Sequence, residues 1–432
     1  MTALWSTKVV PADQIASVDV RLRRGVARCS VEERIDELNA LIHIESDDKQ
    51  IRNMEPFWFM QRIADGTRTT RYPCEPAEEG KPTSIHSLIE YVTITALQAQ
   101  DMEILILDGI PDKSLFRFYV PTQDTSFSQS ISVDNNEDST TMGSQHWSLP
   151  ALTFEGLWHS LIFDGPIKTE LFSYVLSLIR LASAGVDTKY VNVNRLIMLL
   201  GPPGTGKTSL CQALAHQMSI SLQKKFPRSV LIEINTHSLF SKWFSESGKL
   251  VMKMFDQIDE AAEDTKNFVF VLIDEIESLG INRSDSASRG DPADSIRAVN
   301  ALLTQIDRIR RRPNVFIMCT SNLKECLDPA LVDRADLIKL VPTTGRAGVM
   351  KILTEAVSEL KRVKLLEFPE DASGECALLE VLVEKLVGSS GRFLRKLPAL
   401  IYANSRKEKL TFTEFLDGLA QVILEREADA KK

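Results

Sequence analysis

Short apolar runs alternate with helical patterns along the middle of the chain. The runs with the length and composition of buried strands are residues 196–200, 230–234, 268–273, 315–319 and 337–341. Nearly continuous apolar strands separated by helices are typical of a parallel sheet covered by helices on both faces. We therefore predict a large α/β domain over residues 146–342.

The two ends of the chain show different patterns. After residue 342 the apolar positions follow helical spacing over 347–363, 377–387, 391–403 and 412–424, which predicts a small helical domain over 343–432. Near the other end, Val18, Val20 and Leu22 alternate with polar residues, as in a half-buried strand, and 104–107 and 116–120 resemble further strands. Residues 1–121 are predicted to form a small α+β domain.

The segment between these domains, residues 122–145, is polar. It is rich in Ser, Thr, Asn, Asp and Gln and contains neither Lys nor Arg. Such a composition buries too little apolar surface to offset the entropy of ordering the chain. We predict a flexible linker here, and a long ordered loop is the alternative.

Charge and composition restrict the possible functions. The 432 residues contain 51 Lys and Arg against 59 Asp and Glu, a net charge of −8, so we expect no direct binding of nucleic acid. The apolar runs are far shorter than the ~20 residues that span a bilayer, and the first residues lack the apolar core of a secretory signal. We expect no membrane association and a location in the nucleus and cytoplasm.

The strongest chemical signal is the sequence GPPGTGKT, which follows a predicted strand and precedes a helical pattern. Glycines allow such a loop to turn its N–H groups around a phosphate, the lysine neutralises phosphate oxygens, and the threonine hydroxyl occupies a magnesium position. The pattern therefore predicts binding of ATP with Mg²⁺. The residues assigned to nucleotide binding are Gly201, Pro202, Pro203, Gly204, Thr205, Gly206, Lys207, Thr208 and Ser209.

Two acidic residues end the most apolar strand, FVFVLIDE. Asp274 is predicted to act with Thr208 at the magnesium ion, and Glu275 to polarise the attacking water. The next strand ends in Thr-Ser-Asn, and Asn322 is predicted to reach the same water. The alternative for Asn322 is a cap of the following helix.

Two arginines are candidates for stabilising the charge that develops during phosphoryl transfer. Arg334 lies before the last predicted strand, and Arg392 opens a helix of the small domain. An arginine supplied by a neighbouring subunit can raise the rate by ~10³ to 10⁵. The residues alone leave surface ion pairs as the alternative for both.

Adjacent aromatic residues, Trp243 and Phe244, stand among polar and charged neighbours. On a helix they would point ~100° apart, so one core cannot easily take both. An exposed aromatic can grip another polypeptide. Packing of Trp243 against the sheet is the alternative.

In their order, GPPGTGKT, FVFVLIDE, TSN, VDRAD and the Gly391–Arg392 pair resemble the AAA+ ATPases. The stretches HSLFSKWFSESGKL and SGRFLRKLP further resemble the pachytene checkpoint AAA+ ATPases. The resemblance implies an ATP-hydrolysing homohexamer, with Arg334 acting in trans, Arg392 sensing nucleotide from the helical domain, and Trp243 and Phe244 in the central pore. It also implies that Phe163, Asp164 and Gly165 approach the adenine.

The same resemblance implies a substrate class. Members of this family act on HORMA-domain proteins of meiotic chromosome axes and of the spindle checkpoint. They pull on a terminal segment of the closed form and convert it to the open form, often with a HORMA-type adaptor held by the N-terminal domain. We expect the same ATP-driven remodelling here, with roles in meiosis and the cell cycle.

Three other functions use the same ATPase core. A DNA-associated motor or clamp loader is disfavoured by the acidic charge balance. A proteolytic machine would need a separate peptidase, because the chain contains no HExxH or other protease motif. A static nucleotide-binding protein is disfavoured by Glu275.

Overall fold

The computed structural model describes residues 6–11, 15–22, 61–62, 67–73, 89–97, 103–108, 116–122, 127–132, 140–187, 190–191, 193–236, 247–279, 292–322, 327–368 and 373–429. The expected pore residues Trp243 and Phe244 lie outside these ranges.

A seven-stranded sheet forms the centre of the large domain, in the order β14-β10-β13-β12-β11-β9-β8. Its first five strands are parallel, and β9 and β8 extend it in antiparallel pairing. The predicted parallel α/β sheet is confirmed. The strands are β8 (Phe127–Ser132), β9 (Thr140–Leu149), β10 (Leu196–Leu200), β11 (Arg228–Asn235), β12 (Asn267–Asp274), β13 (Val315–Ser321) and β14 (Leu337–Leu340).

Helices cover both faces of this sheet. One face packs against a cluster that includes Leu171, Leu214 and Phe270, and the other against a cluster that includes Phe255, Val271 and Ile306. All six of these side chains are buried because the strands have helices on both sides. The helices of the large domain are α1 (Leu157–Ser160), α2 (Ile167–Ser183), α3 (Lys207–Leu222), α4 (Ser247–Ala261), α5 (Pro292–Ile309) and α6 (Pro329–Val332).

The small domain is helical, as predicted, with its own core around Leu353, Val383 and Phe415. Two short strands, which the sequence did not indicate, pair within it. Its elements are α7 (Arg346–Arg362), β15 (Leu366–Glu367), α8 (Ser373–Leu386), α9 (Gly391–Ser405), β16 (Leu410–Thr411) and α10 (Phe412–Asp429). Among the described helices of the chain, none is long and apolar enough to cross a membrane.

The N-terminal part contains a five-stranded sheet in the order β3-β4-β5-β2-β7 and a separate parallel pair, β1 with β6. The predicted strands around residues 18–22, 104–107 and 116–120 are all present. The strands are β1 (Ser6–Pro11), β2 (Ile15–Leu22), β3 (Gln61–Arg62), β4 (Thr67–Pro73), β5 (Ile89–Leu97), β6 (Glu103–Asp108) and β7 (Phe116–Tyr119).

Two sequence predictions fail in this region. The polar segment 122–145 is not simply a linker, because it supplies β8 and the first half of β9 to the large sheet, where β8 pairs with β9, and Ser144 and Gln145 pair with β11. Strand β2 is not half-buried over residues 18–22, since Asp19 is only 4% exposed. Its carboxylate accepts hydrogen bonds from Arg117 and from Gln217 of α3 (3.1 Å), so the polar side of β2 faces the large domain.

Candidate functional site

The phosphate-binding loop joins β10 to α3 and turns through three glycines with positive φ: Gly201 (151°), Gly204 (75°) and Gly206 (93°). A Cβ at Gly201 would lie 2.1 Å from the carbonyl oxygen of Val341, so no larger residue fits beside the neighbouring strand. The loop therefore keeps its shape because glycine alone permits both the backbone angles and this close approach. Helix α3 then begins at Lys207.

Lys207 is buried and makes three hydrogen bonds. Its Nζ donates to the carbonyl oxygens of Gly201 (2.8 Å) and Pro202 (2.9 Å) and to Oδ1 of Asn322 (2.8 Å). Burial lowers the pKa of Lys207, and the nearby acids, first among them Glu277, act in the opposite direction. The ammonium is therefore held in place at the position where the motif predicts phosphate oxygens.

Thr208 and Asp274 meet as expected. The Thr208 hydroxyl donates to Oδ1 of Asp274 (2.7 Å), and Thr320 on the neighbouring strand donates to the same oxygen. A hydroxyl and a carboxylate oxygen are hard ligands of the kind that Mg²⁺ accepts together with substrate phosphates. These side chains thus fit a magnesium ion, which when bound would neutralise charge on the phosphates.

Glu275 follows Asp274 with a positive φ of 54°, a backbone conformation that is unusual for a residue with a side chain. Two threonines support it. The Glu275 N–H donates to the hydroxyl of Thr320 (3.1 Å), and the hydroxyl of Thr236 contacts the carbonyl oxygens of both Asp274 (2.8 Å) and Glu275 (2.8 Å). The Glu275 side chain is exposed beside the site, at the position predicted for the base that polarises water.

Asn322 lies between Lys207 and Glu277. Its backbone N–H and its side-chain Nδ2 both donate to Oε1 of Glu277, at 3.1 and 2.8 Å. The alternative role as a helix cap is not seen in the described residues, since Asp328 caps α6 by accepting from the N–H of Ala330 (2.8 Å). The structure therefore brings Asn322 to the phosphate loop.

The small domain contacts the phosphate loop at the start of α9. The N–H of Arg392 donates to the carbonyl oxygen of Gly204 (3.1 Å), and Ser390 caps the helix by accepting from the N–H of Phe393 (3.3 Å). Arg392 lines the same pocket as Gly204 and Ser209. A position next to the nucleotide, as the resemblance implies, is thus consistent with the fold.

Phe163 and Asp164 line this pocket too. Phe163 is buried, but both carboxylate oxygens of Asp164 accept hydrogen bonds from the small domain. One bonds the N–H of Gly345 (2.6 Å) and the other the N–H of Gly348 (2.7 Å), at the first turn of α7. Asp164 therefore joins the large and the small domain at the pocket.

Arg334 is not among the described residues that line the pocket beside the phosphate loop of its own chain. Its Nε and Nη2 donate to the two carboxylate oxygens of Asp307 (3.0 and 2.8 Å), and Nη1 donates to the carbonyl oxygen of Ala330 (2.7 Å). Donation to the Asp307 carboxylate raises the pKa of Arg334. The ion pair foreseen as the alternative is present, and it fixes the guanidinium in one orientation.

Sequence reasoning missed four residues of this arrangement: Thr236, Glu277, Asp307 and Thr320. Each acts by orienting an assigned residue through a hydrogen bond. Such partners carry no motif of their own. For Glu277 a signal existed, because it is a third acid close behind Asp274 and Glu275 in the sequence.

Comparison with known proteins gives a consistent result. The profile described as "ATPase family associated with various cellular activities (AAA)" matches residues 197–343. The Caenorhabditis elegans protein named "Putative pachytene checkpoint protein 2" is 42% identical over 425 residues, which cover 94% of this chain and 96% of the relative. A human "Pachytene checkpoint protein 2 homolog" is 41% identical over 320 residues, covering 70% of this chain and 74% of the relative.

Solved structures extend the likeness to the fold. The "Structure of C. elegans PCH-2" superposes with a TM-score of 0.75 at 38% identity and covers 95% of this chain and 99% of that one. A chain in the "Structure of E. coli MS115-1 HORMA:CdnC:Trip13 complex" matches with a TM-score of 0.51 at 20% identity, covering 64% and 93%, and it supports the fold alone. Since a relative at 42% identity matches nearly the whole of both chains, this protein is an ATPase that belongs to the pachytene checkpoint protein 2 family of AAA ATPases.

Proposed function

We propose that this ATPase works as a homohexamer that converts closed HORMA-domain proteins to the open form, using Mg²⁺ and ATP, in the control of meiotic chromosome axes and of the spindle checkpoint. The observation that carries the proposal is the extent of the sequence similarity to the Caenorhabditis elegans relative. It covers 94% of the chain and so includes the N-terminal part as well as the ATPase domain.

The chemistry of the site supports the hydrolytic half of this proposal. Lys207 and the loop N–H groups would hold the phosphates, Thr208 and Asp274 the magnesium ion, and Glu275 would polarise the attacking water. Asn322 would orient that water from the end of β13. Side-chain hydrogen bonds hold Lys207, Thr208, Asp274 and Asn322 at the site before ATP binds, which is the preorganisation that such catalysis uses.

The position of Arg334 supports the assembly. Its ion pair with Asp307 holds a charged guanidinium 2.8 Å from a carboxylate, apart from the pocket that Arg392 lines. We infer that Arg334 completes the pocket of a neighbouring subunit, while Arg392 acts within its own. A homohexameric ring supplies such a neighbour at every site.

Remodelling requires a grip on the substrate, which we assign to Trp243 and Phe244. We assign binding of a HORMA-type adaptor to the N-terminal part, and place the protein in the nucleus and cytoplasm, where its partners would bring it to chromosome axes and kinetochores. Direct binding of nucleic acid and of membranes is not part of the proposal, in keeping with the net charge of −8.

The deciding experiment uses the Glu275→Gln variant, which should bind ATP without hydrolysing it. Incubated with ATP and cell extract, it is expected to retain HORMA-domain proteins, whereas Lys207→Ala, which cannot hold the phosphates, is the matched control and should retain none. A purified HORMA protein recovered in this way should then change from closed to open with the wild-type protein and ATP. Recovery of DNA or of a peptidase instead, or ATP hydrolysis accelerated strongly by DNA, would refute the proposal in favour of a DNA-associated motor or a proteolytic machine.

A further inference from the structure

Glu277 belongs to the short 3₁₀ turn Ile276–Leu279, which follows Asp274 at the end of β12 and the next residue, Glu275. Its Oε1 accepts both N–H groups that Asn322 offers, from the backbone (3.1 Å) and from Nδ2 (2.8 Å). Its Oε2 is buried and makes no hydrogen bond within the described part of the chain. The hydrogen bonds of this carboxylate are therefore directed at Asn322.

The side-chain amide of Asn322 lies between two groups of opposite hydrogen-bonding character. The Glu277 carboxylate can only accept, and the Lys207 ammonium, 2.8 Å from Oδ1, can only donate. A flipped amide would set oxygen against oxygen on one side and donor against donor on the other. One orientation therefore satisfies both neighbours, with Nδ2 toward Glu277 and Oδ1 toward the phosphate loop.

This orientation decides what Asn322 can do there. Phosphate oxygens only accept hydrogen bonds, so a carbonyl oxygen at this position cannot bond to them. It can accept from the Lys207 ammonium or from an O–H of water. An amide nitrogen at the same position would instead donate, and so could bond to a phosphate oxygen.

We propose that Glu277 is a positioning residue for ATP hydrolysis, which fixes the Asn322 amide so that Oδ1 accepts a hydrogen bond from the attacking water. The inference rests on the proposed role of Asn322 as the residue that orients this water. Glu277 itself touches neither the phosphates nor the water. Its effect passes through one amide group.

A purely electrostatic role has to be separated from this one, because Glu277 is also the carboxylate that most favours the charged form of Lys207. Two conservative variants make the separation. Glu277→Gln keeps an acceptor oxygen at the same reach and removes the charge, whereas Glu277→Asp keeps the charge and withdraws the oxygen by one methylene. If orientation matters, Gln should retain turnover within about threefold of the wild type and Asp should lose it.

The experiment measures kcat and KM for ATP on the full-length protein. We expect Glu277→Ala and Glu277→Asp to lower kcat by about 10- to 100-fold with KM changed by less than about threefold, as for loss of one oriented group in the transition state. The double variant Glu277→Ala with Asn322→Ala should be no slower than Asn322→Ala alone, because both changes remove the same interaction. Ser278→Ala, exposed on the same turn, is the matched control.

Several outcomes would overturn the inference. Losses that multiply in the double variant would mean that Glu277 acts independently of Asn322. A Gln variant as slow as Ala, or an Asp variant as fast as the wild type, would mean that charge and not orientation is what counts. If Asn322→Ala alone leaves kcat unchanged, it is the proposed role of Asn322 that fails, and that result is separate from any test of HORMA remodelling. Urea unfolding of each variant shows whether it has folded. If Glu277→Ala fails to fold, the comparison of Glu277→Gln with Glu277→Asp still decides the question.

Discussion

Asp164 caps a helix from a distance of 181 positions along the chain. The residue before α7 is Gly345, which has no side chain to cap the helix, and the free N–H groups of Gly345 and Gly348 donate instead to the two Asp164 oxygens at 2.6 and 2.7 Å. Replacing Asp164 by Ala should therefore weaken the contact between the two domains at the nucleotide pocket.

The size of the effect follows from these contacts. Loss of a side-chain cap costs about 0.5–2 kcal/mol, and a negative charge at a helix N-terminus contributes about 0.3–1 kcal/mol more. One of the two hydrogen bonds is exposed to solvent, which argues against the upper end, so we expect about 2 kcal/mol for Asp164→Ala. If the whole loss falls on the arrangement in which the small domain contacts the large domain at the nucleotide pocket, the affinity for nucleotide falls by up to about 30-fold.

Titration with a fluorescent ADP analogue and urea unfolding together measure this effect. Asp164→Asn keeps one acceptor oxygen and should lose about half as much as Ala, while Asp417→Ala, an exposed aspartate on α10, should match the wild type. A Cβ added at Gly348 would lie 2.6 Å from Thr344 Cγ2 and 3.1 Å from Asp164 Oδ2, so Gly348→Ala should weaken the same contact. Wild-type affinity and an unchanged urea midpoint for Asp164→Ala would refute the reasoning.

Two further predictions concern the subunit interface and the effect of pH. If Arg334 acts in trans, Arg334→Ala should lower kcat by about 10³-fold or more. Mixing it with Lys207→Ala subunits, equally inactive alone, should restore measurable hydrolysis, because each Arg334→Ala site can then adjoin an intact arginine; no recovery in mixed rings would exclude the trans role. Burial holds the pKa of His216 at about 4, with Glu155 and Arg21 acting in opposite directions on it, against 6.5 for an exposed histidine. The unfolded chain therefore binds a proton at this histidine at a higher pH than the folded chain does. The free energy of unfolding should fall by about 2 kcal/mol between pH 7 and pH 5. Urea titrations of His216→Gln should show a smaller fall over the same pH range.

The parts of the fold that the sequence predicted well depend on local patterns. Strand β10 matches its apolar run, and α3 begins directly after the phosphate loop because glycine and helical spacing are readable over a few residues. The same holds for Thr208 and Asp274, whose contact follows from parallel strands ending at one edge of a sheet. Where functional side chains lie at the carboxyl ends of parallel strands, their positions in the sequence are enough to predict that they lie close together.

The features that the sequence did not predict depend on contacts between residues that are far apart in the sequence. Strand β8 has a polar sequence, yet its backbone pairs with β9, and β9 pairs in turn with β11 about 90 positions further along the chain. An edge strand needs backbone partners more than apolar side chains, so its composition resembles that of a linker. Glu277 was missed for a related reason, and so were the hydrogen bonds of Asp164 to the small domain, since both depend on which N–H groups the fold brings to these carboxylates.

The N-terminal sheet shows the same limit at the scale of domains. Alternation in β2 correctly placed Val18 and Val20 in a core, but it assigned Asp19 to solvent. Asp19 is instead buried against α3, where Arg117 donates to it and also to the Ser221 hydroxyl near the end of that helix. Burying a carboxylate is unfavourable unless charged and polar partners replace the lost water, and here those partners come from another strand and another domain. A polar surface built for an internal interface has the same alternating pattern as one built for water, so only the tertiary structure can distinguish them.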